Sequence, residues 1–353
     1  MRWLFLFIAP LLWANEPEKR VHFKVASHCK LPVDLVIQTP RDIATDSKGN
    51  IYMLDAGAKT VLAWDEMGSF LRSFGSEGQG PGELSLSDGF GAVAINENYV
   101  VVVDDLARKI HFWDREFNFK KTIPKPAGFE RLLTLEAYGD QFVIVTPSAK
   151  LGNQRLVLVD NEFGIVDVLA TVDDHYYRPN DQGHWDYRPL ADLIVVGFGP
   201  KDIWYSNSGH NWIRKIDLSG RVKDEFRVPF VAEDFDPKEK TRFIEGFNKW
   251  RGAKDTITFP DKNTVIDFAL PLEKNLIAVS QYRAVNGRFT GLVLDKDTGD
   301  ICGKFSYLLG DQMGFFASVR GKLVSVTGDD NDDYRLDILE LIMEDANENE
   351  DKP

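Results

Sequence analysis

The chain has 353 residues, 43% of them hydrophobic and 27% charged, with a net charge of −13. That is globular composition with ample material for a large core, so a disordered or fibrous chain is excluded. The acidic balance argues against nucleic acid as a partner, because phosphate binding needs a basic surface.

In chain order, the first feature is a signal peptide over residues 1–14. Arg2 supplies a short positive start, residues 3–13 are nearly all apolar, and Ala14 is a small residue at a cleavage point. The apolar run is shorter than the roughly 20 residues of a spanning helix. No later segment is long and apolar enough to be one. The expected location is therefore periplasmic or extracellular, with no transmembrane segment after signal removal. Cys29 follows Ala26, Ser27 and His28 and no lipobox, which argues against a lipid anchor. Export permits a disulfide, and Cys29 and Cys302 are the two cysteines; the sequence leaves their pairing open.

A repeat follows. Its clearest copy runs TPRDIATDSKGNIYMLD (39–55), KTVLAWD (59–65) and GSFLRSFG (68–75). It reads as four short strands separated by turns at 47–50, 56–59 and 66–68. Two columns carry it onward. A small polar residue closes the second strand at Asp55, Asp104, Thr146, Asn207, Ser280 and Thr327. An acid closes the third at Asp65, Asp114, Asp160, Asp217, Asp295 and Glu340. A short acceptor at a strand end can bond the amides of the following turn, so both columns read as structural caps and not as catalytic or metal-binding groups.

A fourth strand follows each acid except Glu340, after which only LIM and an acidic tail (343–353) remain. The tail reads as disordered. A surplus strand, VHFKVAS (21–27), stands at the other end. The economical solution is a ring in which the N-terminal strand completes the last blade, because closure removes exposed sheet edges. The expectation is an all-β, six-bladed β-propeller of four-stranded blades spanning 21–342.

The motifs PRDIATD (40–46), GNIYMLD (49–55) and FGSEGQGPGE (74–83) resemble the NHL-repeat propellers, in particular a group of secreted bacterial six-bladed ones. The likeness is sharp in blade one, fair in blade two and a hydrophobic pattern thereafter. It implies a fold and a binding role, not one reaction.

Three features map to the face that carries the links between blades. The first is the link 173–190, long for such a connection and dense in His175, Tyr176, Tyr177, Arg178, His184, Trp185, Tyr187 and Arg188, residue types that favour ligand contact. The same residues could instead plug the channel. The second is an insertion between blades four and five (231–262), where Asp236, Pro237 and Glu239 read as a helix start and Phe243, Ile244, Phe247 and Trp250 recur at helical spacing. That helix either packs its stripe down or forms a lid. The third is a set of hairpin loops carrying His210 and Trp212, Tyr282 and Arg283, and the acids around Asp329. Arg41, Arg178, Arg188 and Arg283 would give this face a positive spot, which suits an anionic ligand.

Two function classes stay open. One is a non-catalytic propeller that binds a protein, peptide or glycan of the cell envelope. The other is a metal-dependent propeller enzyme, lactonase-like or lyase-like. The enzyme would need zinc on His175, His184 and His210, or calcium on the Asp329 cluster, yet no pair has metal-ligand spacing and the EF-hand pattern is incomplete. Asp42 and Asp267 are the inner-strand acids, and the aligned Gly91, Leu133, Ile194 and Gly314 supply no ring of ligands. His22, His28 and His111 fall on strands. No nucleophile elbow, P-loop or dinucleotide fingerprint occurs. The binding propeller, with no catalytic residue, cofactor or metal, is the expected reading.

Overall fold

The computed structural model describes residues 19–345 except 87–90, 106, 130, 149–151, 174–176, 180–184, 188–193, 200, 233, 235–236, 239, 242–243, 246–255, 258, 260–264, 267, 286–287, 309–314, 320–321 and 329–333. The expected signal peptide over 1–14, the Asp329 cluster and Asp267 lie outside these.

The architecture is an all-β, six-bladed propeller of four-stranded antiparallel blades. Blade one comprises Pro40–Thr45, Ile51–Asp55, Thr60–Trp64 and Phe70–Phe74. Blade two comprises Gly91–Ile95, Tyr99–Asp104, Lys109–Asp114 and Phe119–Pro124. Blade three comprises Thr134–Tyr138, Gln141–Ser148, Asn153–Val159 and Ile165–Asp173. Blade four comprises Ile194–Phe198, Ile203–Asn207, Trp212–Ile216 and Val222–Arg227. Blade five comprises Phe268–Pro271, Leu276–Val285, Arg288–Asp295 and Ile301–Leu308. Blade six comprises Phe315–Val319, Lys322–Gly328 and Tyr334–Asp345, and its outer strand is Lys19–His28, antiparallel to Tyr334–Asp345. That N-terminal strand also touches blade five in parallel at one register pair, Arg20 opposite Lys304.

The sequence dictates this arrangement locally. The middle strands are apolar on both faces (IYMLD, YVVVVD), as strands packed between two neighbouring blades must be. Their side chains make one hydrophobic cluster per blade interface. Trp64, Leu62 and Met53 of blade one join Val324, Val326 and Ile338 of blade six, for example, while Phe112 and Val101 of blade two join Phe142 and Val157 of blade three. Cys29 packs in the first of these clusters as a free thiol, and Cys302 is free as well, so no disulfide links them.

The acid column builds the turn between third and fourth strands. Asp65 accepts from the amides of Met67 and Ser69, Asp114 from Glu116 and Asn118, Asp160 from Glu162 and Gly164, and Asp217 from Ser219 and Arg221. Asp295 repeats the pattern with Asp297 and Thr298. The turn needs one left-handed residue. Gly68 supplies it in blade one (φ 84°), where an added Cβ would sit tightly, 3.0 Å from the His28 carbonyl oxygen. Blades two and three use Phe117 (φ 67°) and Phe163 (φ 61°) instead. Their rings compensate the strain by stacking: Phe117 on Phe74 at 5.1 Å and Phe163 on Phe142 at 5.3 Å.

Glu340 breaks the column. It lies inside Tyr334–Asp345, opposite Lys24, because this strand runs on to pair with the N-terminal one. The strand also takes in residues 343–345, which the sequence assigns to an acidic tail. Thr146, Ser280 and Thr327 likewise sit inside longer strands and do not close them.

Of the helix expected over 231–262, residues 237–238, 240–241 and 244–245 have helical backbone, and the Thr241 hydroxyl donates to the Pro237 carbonyl at 3.0 Å. Ile244 is exposed. Phe243, Phe247 and Trp250 lie outside the described residues, so no complete helix is described there.

Candidate functional site

The third strand of blade four, Trp212–Ile216, projects alternate side chains to one face. Trp212 and Arg214 therefore share a face, and the hairpin turn before the strand adds His210 in line. The His210 ring lies nearly parallel to Trp212, with centroids 6.0 Å apart, and the Arg214 guanidinium covers the same indole at 4.3 Å. Tyr205, directly opposite Arg214 on the second strand, meets Trp212 edge-on at 5.6 Å. Arg214 is held in place by Glu225 (2.8 Å) and the Tyr205 hydroxyl (3.5 Å). Those two bonds, the Tyr205 contact first, raise its pKa and keep it charged.

These groups face the end of blade three's outer strand. Between them lies a cleft of about 160 Å³ lined by Thr171, Val172, Asp173, Tyr205, Asn207, His210, Trp212 and Arg214. That is about the volume of an enclosed cavity that holds one benzene ring, but this cleft is open to solvent and mostly polar in its lining. Its lining is polar at the rim: the exposed Asp173 carboxylate, the Thr171 hydroxyl and the Asn207 amide stand around the aromatic wall. Asn207 uses its carbonyl oxygen to accept the Gly209 amide at 2.9 Å, which fixes the hairpin and turns its NH2 group outward from that bond.

The two long insertions meet at this end of the molecule. Tyr177–Pro179 and Trp185–Tyr187 form a hairpin, and Thr256–Ile257 pairs with Trp185–Tyr187 in parallel. The Ser208 carbonyl in the blade-four hairpin accepts the amides of Val265 and Ile266, where the second insertion returns.

Of the residues expected at the site, His210 and Trp212 line the cleft. Tyr177, Arg178, Trp185 and Tyr187 belong to the accessory hairpin by backbone, and Tyr282 and Arg283 lie within Leu276–Val285. His175, Tyr176, His184 and Arg188 lie outside the described residues. Arg41 is exposed on the inner strand of blade one and does not line the cleft. The cationic group in the cleft is Arg214, which the sequence reading missed, along with Tyr205 and Asp173. The spacing His210, Trp212, Arg214 is itself a period-two signal on a strand and would have found it.

A second polar feature surrounds the central axis. Asp42, on blade one's inner strand, accepts the Val93 amide of blade two at 2.9 Å, and burial pushes its carboxyl up to about 7. Glu136, on blade three's inner strand, is pushed up to about 8, first by burial and then by the Asp42 charge. Glu136 was not among the expected inner-strand acids, because the alignment placed Leu133 there. Among the described residues, no three His, Cys, Asp or Glu side chains converge as metal ligands. His22 and His28 stand on the N-terminal strand, and His111 is fully buried in blade two, where burial lowers its pKa.

The fold and this geometry define a six-bladed propeller with an open cleft between two blades. A family model described as a 6-bladed beta-propeller matches residues 34–176, less than half of the chain. A protein of Bacteroides fragilis described as exported superposes with a TM-score of 0.58 at 14% identity, covering 91% of this chain and 95% of that one. A member of the DUF4221 family from Bacteroides vulgatus superposes at 0.61 with 10% identity, covering 92% and 99%. At such identities the likeness shows the fold alone. No curated protein matches the sequence. No helix among the described residues is long and apolar enough to cross a membrane.

Proposed function

We propose that this chain is an exported, non-catalytic binding propeller of NHL-like repeats. Its ring is closed by the N-terminal strand, and its loop face holds a protein, peptide or glycan of the cell envelope. The observation that carries the binding reading is the blade three–four cleft, an open cleft lined by the stacked His210, Trp212 and Arg214 side chains and by hydrogen-bonding groups. Aromatic walls with a few convergent polar groups bind ring-shaped ligands by packing and orient them by hydrogen bonds. Export rests on the apolar stretch after Arg2, and the Bacteroides fragilis protein of the same fold is itself described as exported.

The test is titration of the mature protein with a panel of ring-bearing probes: the amides of tyrosine, phenylalanine and histidine, and free N-acetylglucosamine and galactose. At least one probe is expected to bind, and His210→Ala combined with Asp173→Ala is expected to abolish that binding. Binding indifferent to both substitutions, or none by any probe, would sink the reading.

A further inference from the structure

The cleft does not stand alone, because the strand that forms one wall of it is also an outer edge of the propeller with no lysine, arginine or proline. The six outer strands differ sharply. Phe70–Phe74 is short and carries Arg72, whose guanidinium lies over Phe117. Phe119–Pro124 carries Lys120, Lys121 and Pro124, and both lysines are ion-paired, to Asp114 and Glu162. Val222–Arg227 carries Lys223, paired with Asp217, and Glu225, paired with Arg214. Ile301–Leu308 and Lys19–His28 meet at one register pair, and both carry lysine: Lys304, Lys19 and Lys24. Lysines, prolines and short length are the usual guards of a sheet edge.

Ile165–Asp173 lacks lysine, proline and short length; its guards are two β-bulges in its pairing with Asn153–Val159 and Asp167, which accepts the Val168 amide at 2.8 Å. It is nine residues long, with no Lys, Arg or Pro. Ile165, Val166 and Val168 are 49%, 52% and 43% exposed. Among the described residues its outer side pairs with no strand. Its only charges are Asp167 and Asp173, both exposed. Its last three residues, Thr171 to Asp173, line the cleft. On the fifth blade the outer strand Ile301–Leu308 meets Lys19–His28 in parallel at one register pair, Arg20 opposite Lys304.

We propose that the outer strand of blade three is a docking edge for an extended, cationic peptide segment of a partner protein, which adds as a fifth strand and delivers a ring-bearing side chain into the cleft. This rests on the cleft reading above and names its partner class. Main-chain hydrogen bonds supply affinity in strand addition, and pockets for individual side chains supply specificity. The sign of the partner follows from charge. An edge carrying only Asp167 and Asp173, on a protein of net charge −13, repels a second copy of itself and attracts lysine and arginine. The apolar residues of such a peptide would cover Val166 and Val168.

The experiment uses the full mature protein and a synthetic peptide of nine residues, the length of the strand, alternating lysine and valine and ending in tyrosine. The peptide is expected to bind in calorimetry and to protect the amides of 165–173 from hydrogen exchange, with the other outer strands unchanged. Val166→Lys combined with Val168→Lys is expected to weaken binding about tenfold or more; Leu71→Lys on blade one is expected to leave it unchanged. The exchange measurement needs no variant, so a misfolded double substitution does not rescue the proposal. Absence of binding, equal protection of all outer strands, equal binding of a glutamate-valine peptide, or protection of the same strand by a chito-oligosaccharide would overturn it. If ring probes bind the cleft while the peptide leaves 165–173 unprotected, the docking edge fails and the cleft stands. If the peptide protects the strand but His210→Ala with Trp212→Ala changes nothing, the edge stands and the cleft reading fails.

Discussion

Blades one and four use the same position of the repeat in opposite ways. In blade one, Asp55 is fully buried and takes four amides at once: Gln38 and Thr39 of the incoming link, and Gly57 and Ala58 of its own hairpin. Blade two repeats the arrangement with Asp104, which takes Ser85, Leu86 and Ala107. A carboxylate has two oxygens and room for about four such bonds, so it can clamp link and hairpin together. Blade four has Asn207 there. Its single carbonyl oxygen holds Gly209 in the hairpin, and the side chain lines the cleft instead. The lesson is that a carboxylate at this position can clamp two segments at once, whereas the single amide oxygen of Asn207 caps the hairpin.

That contrast sets the order of expected effects. Asp55→Ala strands four buried amides and should cost about 3–5 kcal/mol in urea unfolding, whereas Asn207→Ala should cost about 1 kcal/mol. Equal losses would show that the two positions do the same work after all. The third-strand turns sharpen the comparison. Phe163→Ala removes a fully buried ring between Phe142 and Phe112 and should cost about 3 kcal/mol. Gly68→Ala adds a Cβ to a left-handed residue against the His28 carbonyl and should cost about 1–2 kcal/mol.

The axial acids give a pH-dependent test. Their folded pKa values, about 7 for Asp42 and about 8 for Glu136, lie above the ordinary carboxyl values of 3.8 and 4.5. The folded state therefore holds these protons harder than the unfolded chain does. Stability from this source is full at acid pH and is lost as pH rises through that window. Glu136→Gln removes the larger shift, so the variant's melting temperature should decline less than the wild type's between acid and mildly alkaline pH. Parallel curves would show that the pair is not coupled to folding. The smallest effect is expected at the cleft rim. His210 is exposed, and His210→Ala should change stability by no more than about 0.5 kcal/mol while weakening binding of whichever ring probe the wild type accepts.

The blade count and the turns were legible in the sequence because their causes are local. An acid that bonds amides two and four residues on, as Asp65, Asp114, Asp160 and Asp217 do, leaves its mark within one short window. Glu340 was misassigned because its surroundings are decided by Lys24, more than three hundred residues earlier in the chain. The site was less legible for the same reason. His210 and Trp212 declared themselves by residue type, but Arg214 enters through its register with Tyr205, and Asp173 through the end of another blade. Glu136 meets Asp42 only around the axis, a proximity that an alignment of strand starts does not contain.

The union of the first and last strands also governs when the protein can mature. The His28 imidazole and the buried Asp337 carboxylate lie 2.6 Å apart across 309 positions of sequence. Contacts of such separation form late, because loop closure must be paid for before they return anything. Blades one to five can assemble as each leaves the ribosome, but the sixth must wait for residue 345. Until then the apolar faces of Trp64 and Met53 on one side and Val324 and Ile338 on the other lack their partners. The nascent chain thus stays an open, sticky arc until its final strand arrives, and the interval before that arrival is when chaperone capture or aggregation would decide its yield.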